Sequence, residues 1–151
     1  MAKVFHASQN HLIRAVLNRL VPAGDGLPAA GELDLVDHLD RAACSTTGTR
    51  RMFVDGIRRI AVESERRHAK AFEDLAAGEQ DAVLRHVERG HRVFFDALVS
   101  HVYQAYYSHP VVVRLLGLEV RPPQPHGHAL PPFDAATTQA MSRRAALYRK
   151  I

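Results

Sequence analysis

Three observations predict an all-α fold for this sequence: a single-domain bundle of about five to seven helices with a proline-rich, extended C-terminal segment. Apolar residues recur at three- and four-residue spacing in one stretch after another, the period of a helix with one buried face. No strand-like alternation persists anywhere in the 151 residues. Gly and Pro clusters fall where those periodic stretches stop, as breakers between helices do.

The first helix is expected from a cap at Asn10 through Val21, with Leu12, Ile13, Val16, Leu17 and Leu20 on one stripe. Pro22 ends it, because the residue before a proline is driven out of the helical region. Pro22-Ala-Gly-Asp-Gly-Leu-Pro-Ala-Ala-Gly31 then reads as a loop. A second helix is expected from about Glu32 to Ala43, with Leu35, Val36 and Leu39 on one face. After Ser45-Thr-Thr-Gly-Thr49, a third lines up Met52, Phe53, Ile57 and Ile60 and runs into the charged cluster Glu63 to Lys70, read as a solvated helix end. Phe72 and Leu75 are apolar anchors under a turn. Glu79-Gln-Asp opens a fourth helix with acid in its first turn, where the helix dipole favours it, and Val83, Leu84 and Val87 form its buried face. Gly90 weakens continuation. The fifth helix, His91 to about Tyr107, carries Phe94, Phe95, Leu98, Val102 and Tyr106 and is the expected centre of the core. Pro110 suits the first position of a short helix ending near Gly117.

From Arg121 the composition changes. Arg121-Pro-Pro-Gln-Pro-His-Gly-His-Ala-Leu-Pro-Pro-Phe133 is proline-dense and reads as extended chain, followed by a last helical stretch from about Ala135 to Tyr148. The chain thus divides into a helical domain, 1–120, and an arm, 121–151. That arm either completes the same domain or docks on a partner. Its spaced apolar and basic groups make Arg121, Leu130, Phe133 and Tyr148 candidate partner contacts.

Composition excludes several classes. The net charge of +4 comes from Arg interspersed with Asp and Glu, a pattern of solvated or ion-paired helix faces rather than a nucleic-acid stripe. No nucleic-acid partner is expected. The single cysteine, Cys44, forbids an intrachain disulfide. No stretch approaches the roughly 18 apolar residues of a membrane helix, so no membrane insertion is expected. Met1-Ala-Lys-Val-Phe-His6 shows neither a secretory h-region nor a twin arginine. Cytoplasmic location is the expectation, periplasmic only if a partner supplies an export signal.

Two Glu-x-x-His pairs, Glu65 with His68 and Glu88 with His91, have the spacing of ligands in ferritin-like di-metal bundles. The first sits in a charge run and the second straddles Gly90, so neither is expected to face a core, and no metal is expected. His126-Gly-His128 is a surface-type pair; His38 and His101 read as packing or surface residues. No nucleophile elbow, phosphate loop or dinucleotide fingerprint is present, so no catalytic residue and no bound cofactor is expected. Tyr103-Gln-Ala-Tyr106-Tyr107 admits two readings: aromatics packed in the core, or Tyr103 and Tyr107 reaching a partner, where aromatics serve as anchors.

Several blocks, in order, resemble one family. They are Asn18-Arg-Leu-Val-Pro22, Leu35-Val-Asp-His-Leu39, Phe72-Glu-Asp-Leu75, Glu79-Gln-Asp-Ala-Val-Leu84, Phe94-Phe95, Tyr103-Gln-Ala-Tyr-Tyr-Ser-His-Pro110, Leu116-Gly-Leu118 and Arg121-Pro-Pro123. Together they resemble the gluconate 2-dehydrogenase subunit 3 family, small subunits of flavin-dependent sugar and alcohol dehydrogenases. The resemblance implies an accessory, non-catalytic subunit paired with a large subunit of the glucose–methanol–choline (GMC) class. That large subunit would hold FAD and oxidise a sugar, polyol or related alcohol. No catalytic residue carries over. Two departures stand out: the twin-arginine signal of many relatives is missing, and Asp74-Leu-Ala-Ala77 lacks their Ser-like cap, which puts the fourth helix's first turn in doubt. A helical interaction or regulatory module with another partner, and a ferritin-like di-metal protein, are the competing readings.

Overall fold

The computed structural model describes residues 3–118. Those residues form six α-helices: α1 (Asn10–Leu20), α2 (Leu35–Ala43), α3 (Thr47–His68), α4 (Ala77–Gly90), α5 (Arg92–Tyr107) and α6 (Pro110–Leu115). Three 3-10 turns, Ala7–Gln9, Ala30–Glu32 and Phe72–Asp74, join them, and the described residues contain no strand. The all-α expectation holds. The arm, 121–151, with the stretch expected from Ala135 to Tyr148, lies outside the described residues.

The start of the chain is tied down in a way periodicity does not reveal. Val4 and Phe5 are buried, and their amides both donate to Asp40 Oδ1 of α2 at 2.7 and 2.9 Å. Asn10 is not the cap of α1. The 3-10 turn Ala7–Gln9 leads into the helix one turn earlier, with Gln9 Oε1 accepting from the His6 amide at 3.0 Å, so Asn10 is already helical. Leu12, Ile13, Val16 and Leu17 form the buried stripe of α1.

The Gly/Pro loop is ordered by its own chemistry. Asp25 and Gly26 both take positive φ, +51° and +78°, between the Gly24 and Leu27 backbone groups that bond each other. Two such residues in succession are the mark of a tight hairpin-type turn, for which Asp-Gly is favoured. The returning chain bonds to α1 through Ala30 N to Val21 O (3.0 Å) and Gly31 N to Asn18 Oδ1 (2.8 Å).

The second helix starts at Leu35, not at Glu32. Leu33 is extended (φ −95°, ψ 158°) and nearly buried, so burying that side chain interrupts the helix between the Ala30–Glu32 turn and α2. α3 is capped by Thr46, whose Oγ1 accepts from Thr49 N at 3.0 Å. It ends where Ala69 turns left-handed at φ +50°. Phe72 and Leu75 are buried in the following turn, and Gln80 of α4 donates to Phe72 O at 2.9 Å. The first turn of α4 forms without a Ser-like cap, because Glu79 Oε2 accepts from the Ala76 amide at 3.0 Å.

α5 occupies the centre, in contact with α1, α2, α3, α4 and α6. It buries Phe94, Phe95, Leu98, Val102, Ala105 and Tyr106. Phe94 meets Phe53 of α3 edge-on at 5.9 Å, an arrangement the ring quadrupoles favour. Pro110 stands at the first position of α6, as expected.

Candidate partner-docking face

The tyrosine block divides. Tyr106 is buried, and its hydroxyl donates to Pro28 O at 2.7 Å, tying the end of α5 to the Gly/Pro loop. Burial, followed by the neighbouring Tyr107 and Glu32, raises its pKa. Tyr103 and Tyr107, one turn apart, are 45% and 54% exposed. Their rings lie 6.1 Å apart, and Tyr107 packs edge-on against the fixed Tyr106 ring at 5.2 Å. The two rings are therefore held in place before any partner arrives.

The segment that follows in the chain is also rich in exposed apolar side chains. Val111, Leu115, Leu116 and Leu118 are all exposed, between 42% and 61%. Backbone bonds from Gly117 to Arg114 O and from Leu118 to Val113 O close the end of α6 and hold these side chains on a defined turn. Six of the nine large exposed apolar side chains among the described residues thus belong to the end of α5 and to α6 and its closing turn. Scattered apolar residues need no explanation, whereas a concentration of them in one stretch of chain makes that stretch the candidate interaction site.

The remaining polar features hold the fold together. Arg19 makes a two-pronged pair with Asp81, joining α1 to α4 at 2.8 and 2.9 Å, and its hydrogen bonds lower the Asp81 pKa. Glu63 collects Arg66 Nη2 at 2.9 Å, Arg67 Nε at 3.1 Å and His86 Nε2 at 3.6 Å. Hydrogen bonds from Arg66 first, then Arg67, hold the Glu63 pKa down to about 2. Its ordinary value is 4.5, so the unfolded chain takes up a proton before the folded one does. The stabilisation from Glu63 is complete above pH 4.5 and is expected to vanish as pH falls toward 2. Acid melts of the wild type and Glu63→Gln across that window check this: the variant should show a shallower slope, and parallel slopes would refute it.

His38 and His101 face each other at 6.3 Å, with the His101 ring 5.9 Å from Phe53. Burial, then Arg41 and His101, lowers the His38 pKa, as expected of a packing residue. Glu65 and Glu88 are exposed, His68 leans toward Glu79 at 3.5 Å, and His91 occupies the break between α4 and α5. Among the described residues no three His, Cys, Asp or Glu side chains stand together as metal ligands would. Arg121, Leu130, Phe133, Tyr148 and the His126-Gly-His128 pair lie outside the described residues.

The sequence profile of gluconate 2-dehydrogenase subunit 3 matches residues 7–119. The chain belongs to the gluconate 2-dehydrogenase subunit 3 family. No curated protein and no solved structure matches it. Within the blocks that resemble this family, most of the apolar side chains enter the core, as Leu35, Leu39, Phe72, Leu75, Phe94 and Phe95 do. Asn18, Arg19, Gln80, Asp81 and Tyr106 supply the bonds that join helices and loops. The large apolar side chains of those blocks that stay exposed are Tyr103, Tyr107, Leu116 and Leu118, all within the stretch from the end of α5 to the turn that closes α6. The four-residue spacing of Leu98, Val102 and Tyr106 placed Tyr106 on the buried stripe, and it is buried; Tyr103 and Tyr107 fall off that stripe and are exposed. Among the described residues no helix is long and apolar enough to cross a membrane.

Proposed function

We propose that this chain is the non-catalytic accessory subunit of an FAD-dependent, GMC-type dehydrogenase acting on a sugar, polyol or related alcohol. It grips that large subunit through the Tyr103–Tyr107–α6 face. The observation that carries the reading is that, in blocks otherwise devoted to core and cross-links, the exposed large apolar side chains all fall between the end of α5 and the turn after α6. Family membership supplies the class of partner. The flavin is assigned to that partner, because the chain has no glycine fingerprint and its described residues have no strand to carry one. Oxidation of the alcohol belongs to the large subunit's chemistry; this chain contributes binding and stability. The arm, through Arg121, Leu130, Phe133 and Tyr148, is proposed to make a contact of its own with the same partner, its prolines reducing the entropy lost on docking.

Co-expression with a GMC-type flavoprotein tests this. The tagged chain should bring down a yellow complex, yet be colourless when expressed alone. Tyr103→Ala/Tyr107→Ala should weaken the complex roughly tenfold or more, the scale of losing buried aromatic anchors. Its melting temperature should stay near wild type, since neither ring is buried in the free chain. Stoichiometric flavin on the isolated chain, or undiminished capture by the double variant, would overturn the reading.

A further inference from the structure

The corner where α4 passes into α5 faces the middle of α3 across two adjoining hollows of about 490 and 420 Å³. Both are lined by Asp55, Arg59 and His91; Arg58 and Glu63 border the first, and Arg89 and Arg92 the second, so that four guanidinium groups face two carboxylates and the excess of positive charge lies in the second hollow. α3 carries three Arg pairs, at 50/51, 58/59 and 66/67. Arg66 and Arg67 both pair with Glu63, whereas Arg58, Arg59 and Arg89 make no ion pair among the described residues. Arg92 reaches Asp96 only at 3.5 Å, with both side chains well exposed, a contact of little strength. Val62, 51% exposed, lines the first hollow and Val93, 76% exposed, the second.

We infer that this groove takes an acidic, partly apolar segment of the flavoprotein subunit, a second contact that rests on the partner assigned above. Guanidinium groups pair with carboxylates in a planar, two-pronged geometry, and unpaired ones in a groove select for them. The interspersed valines suit a peptide that alternates carboxylates with aliphatic side chains. They have no role against a phosphate backbone, and no exposed aromatic ring lines the groove for a base to stack on.

Helix geometry places both contacts within one partner's reach. Arg92, Asp96, Tyr103 and Tyr107 follow one exposed stripe of α5, since eleven residues are close to three full turns. From Arg92 to Tyr107 the helix spans about 22 Å at its rise per residue. An interface of ordinary size, about 800 Å² per partner, is broad enough to cover both ends. The apolar face supplies affinity and the arginine groove supplies register and steering.

The test reverses two charges that the fold does not use. Arg59→Glu/Arg89→Glu should keep wild-type helicity and melting, yet hold the co-expressed flavoprotein roughly tenfold less tightly at moderate salt, with Arg59→Lys/Arg89→Lys close to wild type. A fluorescent peptide alternating glutamate pairs with leucine, titrated by anisotropy, should bind wild type and not the Glu variant, and should weaken with salt. If the Glu variant holds the flavoprotein normally while Tyr103→Ala/Tyr107→Ala does not, the groove is wrong and the proposed function stands. If wild type captures no flavoprotein at all, both fail. Equal peptide binding by wild type and variant, or tighter binding of a single-stranded oligonucleotide of equal charge, also overturns the inference.

Discussion

Phe94→Ala is expected to cost about 4 kcal/mol of stability, the range of a fully buried aromatic truncated in a core. Phe94 is 3% exposed, stands edge-on to Phe53, and lies against the backbone of α3 at Gly56. Its removal empties the space where α3 and α5 meet. Because the flanking helices are held elsewhere by their own contacts, that space cannot close fully, and the cavity adds to the lost burial. The reciprocal change probes the same contact from the other side. A β-carbon at Gly56 would overlap the Phe94 ring, so Gly56→Ala forces the ring out of its seat. The expected net loss is about 2 kcal/mol, overpacking outweighing the roughly 1 kcal/mol that alanine gains in a helix. The two effects should not add. In Phe94→Ala/Gly56→Ala the new methyl occupies part of the vacated volume, so the double variant should be no less stable than Phe94→Ala alone. Urea midpoints of the four proteins check this cycle, and strict additivity would show that the two residues do not share a contact.

Gly31→Ala is the second large effect, expected at about 3 kcal/mol. Here the obstacle is backbone. A β-carbon at Gly31 would overlap the Arg14 carbonyl of α1 and the Asn18 carboxamide, the group that accepts the Gly31 amide. Nothing flexible can move aside, because the carbonyl belongs to the middle of a helix whose other face is in the core. The Ala30–Glu32 turn has to lift from α1, exposing Ala30, now fully buried, and drawing Pro28 away from the Tyr106 hydroxyl. Asn18→Ala removes only the hydrogen bond and should cost about 1 kcal/mol. Thermal or denaturant melts that rank the two variants in the opposite order would mean that the turn yields where the structure shows it clamped. Since Tyr106 lies beside Tyr107, Gly31→Ala should also loosen the docking face, whereas Asn18→Ala should scarcely affect it.

Periodicity located the buried faces because burial on a helix is a matter of angle alone. Leu12, Ile13, Val16 and Leu17, then Phe53, Ile57 and Ile60, then Val83, Leu84 and Val87 all lie where their spacing put them. Breakers located the joints for a similar reason: Pro22, Gly90 and Pro110 act through their own backbone restrictions, independent of the rest of the chain. Boundaries were less legible. The start of α2 moved from Glu32 to Leu35 because Leu33 gains more by burial in extended form than by continuing a helix, which depends on neighbours distant in sequence. Val4 and Phe5 carry no periodic signal, being two residues in a short segment, and the Asp40 carboxylate that fastens them belongs to another helix.

For the site, the sequence by itself determined the inventory: an aromatic block at the end of a helix, apolar residues just after it, arginines in pairs, and no fingerprint for a cofactor. Residue type and local spacing settle such matters. Only the tertiary structure decided that the Tyr106 hydroxyl is spent on Pro28 O, and that Arg19 and Glu63 are spent on ion pairs. The same holds for Arg58, Arg59 and Arg89, which make no ion pair among the described residues and lie beside exposed valines. Whether a side chain is free to meet a partner depends on which other helix lies over it. That is set by the packing of α1, α3, α4 and α5 against one another, through contacts between residues far apart in the chain.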